Sequence, residues 1–369
     1  MKPANNNASC RRLPKKERQR CRRQQARELQ RQWLIALTWG NQTFNQSDAA
    51  AIQIWLGIFP VNWRQLHSPA LVEKQLKSIK AHLGSPYREL LKALILDPAL
   101  QLALDGFKNH RRRPNENFAR ELLELFTLGE GNYTEADVIE SSRALTGYRL
   151  NQSQKVALNP RRHDNGQKVI LGRTAAFNGE SLAEWLVEQP ATAKNICRRL
   201  WRRMIGTNVS SNRLNTLAQQ WQQHDLSIPW IMKELTSNPE AITSRNNGLR
   251  LSDPLELVSR SLRLLGSRHE EALDLSLRGL RGMEQRPFEP PSIRGWPINE
   301  EWITSRGIQA RRRTLQQLLA HEEVWASRQI RPSLPANLTA ISPLTLSLPA
   351  HTTRENLEQL FNDPVWQLA

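Results

Sequence analysis

The chain is 369 residues long, enough for one large or two modest domains with a substantial core. Hydrophobic residues make up 39 %, and no apolar run approaches the roughly 20 residues of a membrane-spanning helix. The net charge of +17 is uneven: residues 1–31 hold eleven Lys/Arg against two acids, about half of the excess.

The basic residues crowd into a tail over 1–25, which has no apolar residue at helical spacing between Pro14 and Gln25. That composition predicts disorder or a solvated helix. Such a tail can bind nucleic acid or an anionic surface through phosphate charge. With no aromatics between the charges, a solubilising extension is the favoured reading. A core-docking helix is expected from Ala26 on, with Leu29, Trp33 and Leu37 on its inner face. Trp33 to Leu37 is too short an apolar run for a secretory signal, so a cytoplasmic location is expected. Cys10, Cys21 and Cys197 are too few and too scattered to predict a disulfide framework or a zinc site. Cys197 reads as a small core residue.

Proline sets the helix starts. Ser68-Pro69, Ser85-Pro86, Asp97-Pro98, Gln189-Pro190, Asn238-Pro239, Asp253-Pro254 and Asp363-Pro364 each precede a helical pattern. Proline at the first helical position loses no hydrogen bond, and most of the preceding residues are good caps. Between these starts lies Pro114 to Tyr148, which predicts an antiparallel helical hairpin. Phe118, Leu122 and Leu125 form the inner stripe of its first helix, capped at Asn115 and stopped at Gly129. Thr134 with Asp137 opens the second helix, and Gly147 ends it. Asn117, Glu121 and Glu124 share one side of the first helix, with Arg120 beside them. Either a solvated face with weak ion pairs or a polar site built on a rigid helix pair fits this pattern.

Val156 and Leu158, then Asp164-Asn165-Gly166, then Val169 to Leu171, predict a β-hairpin near 155–172 with His163 and Asp164 at its tip. Apolar stripes then recur around Leu186 to Met204, Leu255 to Leu265 and Leu315 to Leu319. Pro287 to Pro297 carries four prolines and should lie extended, anchored by Phe288 and Trp296. The expected fold is mainly α: a multi-helix orthogonal bundle of about a dozen helices with one projecting β-hairpin. Residues 26–330 should form a single helical domain, 331–353 a Pro-rich linker and 354–369 a short terminal helix.

Phosphate-binding glycine loops, a G-x-S-x-G elbow and H-E-x-x-H are absent. One constellation remains: Asn117, Arg120, Glu121 and Glu124 on a helix, Arg143 on its partner, and His163, Asp164 and Lys168 on the hairpin. An Asp beside a His can orient a general base, which makes Glu121, His163 and Asp164 the catalytic candidates. Glu121, Glu124, His163 and Asp164 are the candidate metal ligands. Asn117, Arg120, Glu124, Arg143 and Lys168 would bind a ligand. A structural network would use the same residues, and Glu121→Gln would then cost roughly 1–3 kcal/mol. The sequence does not specify a cofactor beyond these candidate metal ligands.

Several segments resemble the bacterial domain of unknown function 1800 family. They are PNENFARELLELFTLG from Pro114, the Arg162-His163-Asp164-Asn165-Gly166-Gln167-Lys168 turn, Pro190-Ala191-Thr192-Ala193, and Pro287-Phe288-Glu289-Pro290-Pro291 through Gly295-Trp296-Pro297. The resemblance spans about residues 50–320. It implies a mostly helical protein of a family without an established activity. Many relatives carry export signals and accompany a sulfatase-like family of unknown function, number 1501. Trp55-Leu56-Gly57-Ile58-Phe59 stands where relatives often have Trp-x-Asn-His-Phe, and Phe126 stands where they usually have His. Of three typical histidines, only His163 remains. The favoured function is therefore a scaffold or ligand-binding protein. The alternatives are a metal-assisted or acid–base hydrolase for a sulfated or phosphorylated substrate, and nucleic-acid binding through residues 1–25.

Overall fold

The computed structural model describes residues 10, 13–151, 155–206, 209–237, 239, 250–329 and 353–368. Seventeen α-helices dominate it. The first six are α1 (Lys15–Trp39), α2 (Gln46–Leu56), α3 (Trp63–Leu66), α4 (Pro69–Ala81), α5 (Tyr87–Ile95) and α6 (Pro98–Ala103). The predicted helical hairpin is α7 (Asn117–Glu124) and α8 (Glu135–Ala144). Then come α9 (Gly179–Glu188), α10 (Pro190–Met204), α11 (Ser211–Gln223), α12 (Ile228–Ser237), α13 (Pro254–Leu265) and α14 (Glu270–Gly282). The last three are α15 (Ser305–Ala320), α16 (Glu322–Ala326) and α17 (Arg354–Asn362).

The starts follow the capping chemistry. Asp97 accepts from the amides of Ala99 and Leu100, and Asp253 from that of Glu256, each ahead of a proline at the first helical position. Thr134 and Asp137 form the capping box of α8. Glu116, not Asn115, occupies the cap of α7; Asn115 acts one step earlier, accepting from the Asn117 amide at 3.0 Å. Asn238 lies outside the described residues.

One continuous apolar core joins these helices. Its centre is aromatic: Tyr87 stacks on Trp55 at 5.7 Å, and Phe59 meets Phe126 at 4.9 Å. The C-terminal segment belongs to it, since Leu357, Leu360 and Trp366 are fully buried. Arg311 donates to Gln367 Oε1 at 3.3 Å, and Arg260 to the Leu368 and Trp366 carbonyls, clamping that segment against α13 and α15. Residues 331–352 of the expected linker lie outside the described residues.

Two expectations are corrected. Of the two readings of the basic tail, disorder or a solvated helix, the described residues from Lys15 are helix; what is corrected is the reading of its cysteines, since Cys10 is bonded to Cys21. The other concerns the β structure. β1 (Tyr148–Leu150) pairs with β2 (Val156–Leu158), and β3 (Lys168–Ile170) pairs with β4 (Arg173–Ala175), both antiparallel. The sequence pattern placed 156–158 opposite 169–171. Leu171 and Gly172, both left-handed at φ 50° and 77°, turn the second strand back locally instead. The Arg162–Gln167 turn therefore links two hairpins rather than capping one.

Candidate functional site

The candidate residues separate into two groups. The first surrounds the turn between the hairpins. Arg143, in the last turn of α8, donates to both carboxylate oxygens of Asp164, at 2.8 and 3.2 Å, and to Glu140 at 2.7 Å. This bidentate pairing holds the Asp164 carboxyl below its usual range. Lys168 is fully buried, and its ammonium donates to the carbonyls of Asp164 and Gly166 at 2.6 and 2.9 Å. Burial lowers its pKa. His163 is also buried, with Nδ1 donating to the Thr146 carbonyl at 2.9 Å. Burial lowers its pKa too, which favours neutral imidazole. The acids of α8 hold the second hairpin: Asp137 accepts from the Leu171 amide and Glu140 from that of Val169. His163 and Asp164 thus lie within a closed network packed on α8, not at an open tip.

The second group lies on α7. Arg120 is committed to Glu135, at 2.8 and 2.7 Å, and to Glu116. Glu124 accepts from Arg294 at 2.5 Å and from the Tyr133 hydroxyl at 3.2 Å. Asn117 and Glu121 are different. Both line a cleft of about 220 Å3 with Asn62, Gln65, Ser292 and an apolar wall that includes Pro60, Leu104 and Ile293. Among the described residues, the side chains of Gln65, Asn117 and Glu121 have no hydrogen bond or ion pair. Burial, then the charge of Glu124, raises the Glu121 pKa. Neither His163 nor Asp164 lines this cleft. No group of three or more metal-ligating side chains occurs among the described residues, so the four metal candidates are not assembled into one centre.

The far wall of the cleft is the predicted extended segment, Pro287–Pro297, hereafter the strap. Phe288 and Trp296 are buried as expected. Phe288 is left-handed, φ 63°, and its carbonyl accepts from the Trp63 amide at the start of α3. Asn62 donates to the Pro290 carbonyl at 3.0 Å. Glu289 accepts from Trp63 Nε1 at 2.9 Å and from Arg64 at 2.7 Å. These bonds hold α3 and the strap together at the mouth of the cleft.

Sequence reasoning missed Arg199 and Arg203 behind it. Burial pulls both guanidinium pKa values down to about 10. Arg203 donates to the Gly57 carbonyl at 3.0 Å, and Arg199 donates to that of Leu125. A Cβ at Gly57 would fall inside the Arg203 guanidinium. Gly57, Ile58 and Phe126 are the positions at which the resemblance implied Asn, His and a second His. Ile58 and Phe126 are fully buried in the core. Apolar packing and an arginine laid on bare backbone occupy these positions. The available signal was the spacing of Arg199 and Arg203, i and i+4, on the same face of α10 as Ile196 and Leu200.

Fold and site together define a mainly helical protein with small β-hairpins, a closed polar network and a separate cleft. The chain belongs to the family described as Protein of unknown function (DUF1800), whose model matches residues 2–367, well beyond the span of the motifs. No curated protein and no solved structure matches it. No helix among the described residues is long and apolar enough to cross a membrane.

Proposed function

We propose that this protein is a helical ligand-binding protein whose site is the Asn117–Glu121 cleft. The observation that carries this reading is the contrast between the two cleft residues, Asn117 and Glu121, and the other candidates. Arg120, Glu124, Arg143, His163, Asp164 and Lys168 are all engaged by neighbours, whereas Glu121 faces the cleft with neither a hydrogen bond nor an ion pair among the described residues. A half-buried acid left without a partner costs stability, and a ligand that donates to it removes that cost.

The lining selects the ligand class. Carboxylate, amide and hydroxyl groups over an apolar wall suit a neutral, hydroxyl-rich molecule, which donates to Glu121 and accepts from Asn117 or Gln65. Arg294, Arg120 and Arg199 lie within electrostatic reach of Glu121 and disfavour a cationic ligand. The volume is below the ~300–1,000 Å3 of drug-sized sites, which limits the ligand to about one sugar ring.

The hydrolase reading needs Glu121 and His163 to act on one substrate, and only Glu121 meets the cleft. The test is a calorimetric panel of neutral monosaccharides and polyols. Binding by the wild type that Asn117→Ala and Glu121→Gln each weaken at least about tenfold (~1.4 kcal/mol) is expected. Binding unaffected by both changes, or no binding across the panel, contradicts the proposal.

A further inference from the structure

The strap also borders a second and larger depression, of about 520 Å3. Arg286 and Glu289 from the strap region line it with Arg278, Arg281, Glu284 and Arg306. We propose that this basin binds a small multivalent oxyanion, a ligand carrying two or more phosphate or sulfate groups.

The charge balance within the basin is the argument. Four guanidiniums face two carboxylates, and one of those carboxylates is already engaged. Glu289 accepts from Arg64 at 2.7 Å, Trp63 at 2.9 Å and Gln30 at 3.2 Å, in addition to Arg286 at 3.2 Å. Glu284 has only a loose pairing with Arg306, at 3.5 Å, with both side chains mostly exposed. Arg278 is paired with Glu271, which lies outside the lining but offsets the charge of that arginine. Arg281 has no ion pair or side-chain hydrogen bond among the described residues. The positive charge left over in the basin is therefore that of Arg281, together with Arg286, whose carboxylate partner is shared with Arg64, and Arg306, which is only loosely paired.

Its chemistry and shape agree with that charge. All four cations are arginine, whose planar forks pair with oxyanions bidentately, rather than lysine. Glu284 is left-handed at φ 65°, reversing the chain just after α14. The turn brings Arg286 onto the same surface as Arg278 and Arg281, so charges from two segments converge on one concavity. Arg306 closes it from the first turn of α15.

The test titrates pyrophosphate and a disulfated disaccharide separately into the full chain by calorimetry, at low and at about 0.15 M ionic strength. We expect at least one to bind, more weakly at the higher salt, and the better of the two identifies phosphate or sulfate as the preferred group. The Arg281→Gln/Arg306→Gln variant should bind at least about tenfold more weakly. Glu121→Gln should bind as the wild type does, which separates this basin from the cleft. No binding of either probe, or unchanged affinity in the double variant, overturns the proposal. So does loss of binding only when Lys15, Lys16, Arg22 and Arg23 are changed to Gln, which would move the anion to α1.

Discussion

Gly147 is left-handed at φ 87°, and a Cβ there would stand 2.8 Å from the His163 amide nitrogen. Its bare backbone lets the turn between the hairpins close onto the end of α8, where the Gly147 carbonyl accepts from the Asn159 amide at 2.9 Å. The titration of this network has a definite sign. The folded pKa values of His163 and Asp164 both lie below their ordinary values. The folded state thus binds fewer protons than the unfolded chain, and stability from both groups rises with pH. The His163 contribution begins to fall as pH drops below about 6.5 and continues to fall towards its lowered folded pKa. The Asp164 contribution is present above about 3.9 and is lost as pH falls through its own folded pKa. Urea denaturation between pH 7 and 5 should therefore show a shallower pH dependence in His163→Gln than in the wild type. Identical slopes would show that the buried imidazole does not contribute.

At the scale of elements, the strap decides the cleft. Phe288 packs on Trp33 with ring centroids 5.6 Å apart, and Glu289 gathers Gln30, Trp63 and Arg64 around one carboxylate. Removing that charge while leaving its cations in place should cost about 1–3 kcal/mol. Glu289→Gln is thus expected to lower stability by that amount in urea and to speed proteolysis within 286–296; unchanged values would show that the strap is held by its aromatic anchors alone. Four prolines made the extended strap legible in the sequence, and the helices were legible from their caps and 3.6-residue stripes. The strand pairing was not. Asp164-Asn165-Gly166 is a sound turn signal, but the pairing was decided by Leu171-Gly172 and by Asp137 and Glu140 reaching from α8, contacts that no local pattern encodes.

Across the whole molecule, the cleft depends on four segments, α3 with the residues before it, the end of α6, α7 and the strap, so its lining could not be read from α7 alone. Glu121 was legible as a candidate, but its difference from Glu124 was not: Arg294, 170 residues on, reaches one acid and leaves the other. The Cys10–Cys21 bond was also not legible, because two cysteines in a charged segment carry no pairing signal of their own. It has a consequence for location, since disulfides persist in oxidising compartments and are rare in reducing ones. Protein purified without reductant should show no accessible thiol until denatured, then one, because Cys197 is buried. Three thiols on denaturation would instead favour the cytoplasmic expectation.

Glu121 gives the most direct test of the central claim, that the cleft is a binding site and the network around His163 is scaffold. Its folded pKa is raised, so ionisation in the empty cleft opposes folding. That penalty grows as pH rises from the unfolded value through the folded one, and it is fully present above both. The measurement is the unfolding free energy of Glu121→Gln against wild type at pH 7, without ligand. The account predicts equal or greater stability, with any loss within about 0.5 kcal/mol. A loss of about 1–3 kcal/mol, as for a buried acid holding its neighbours together, would contradict it and return Glu121 to the scaffold.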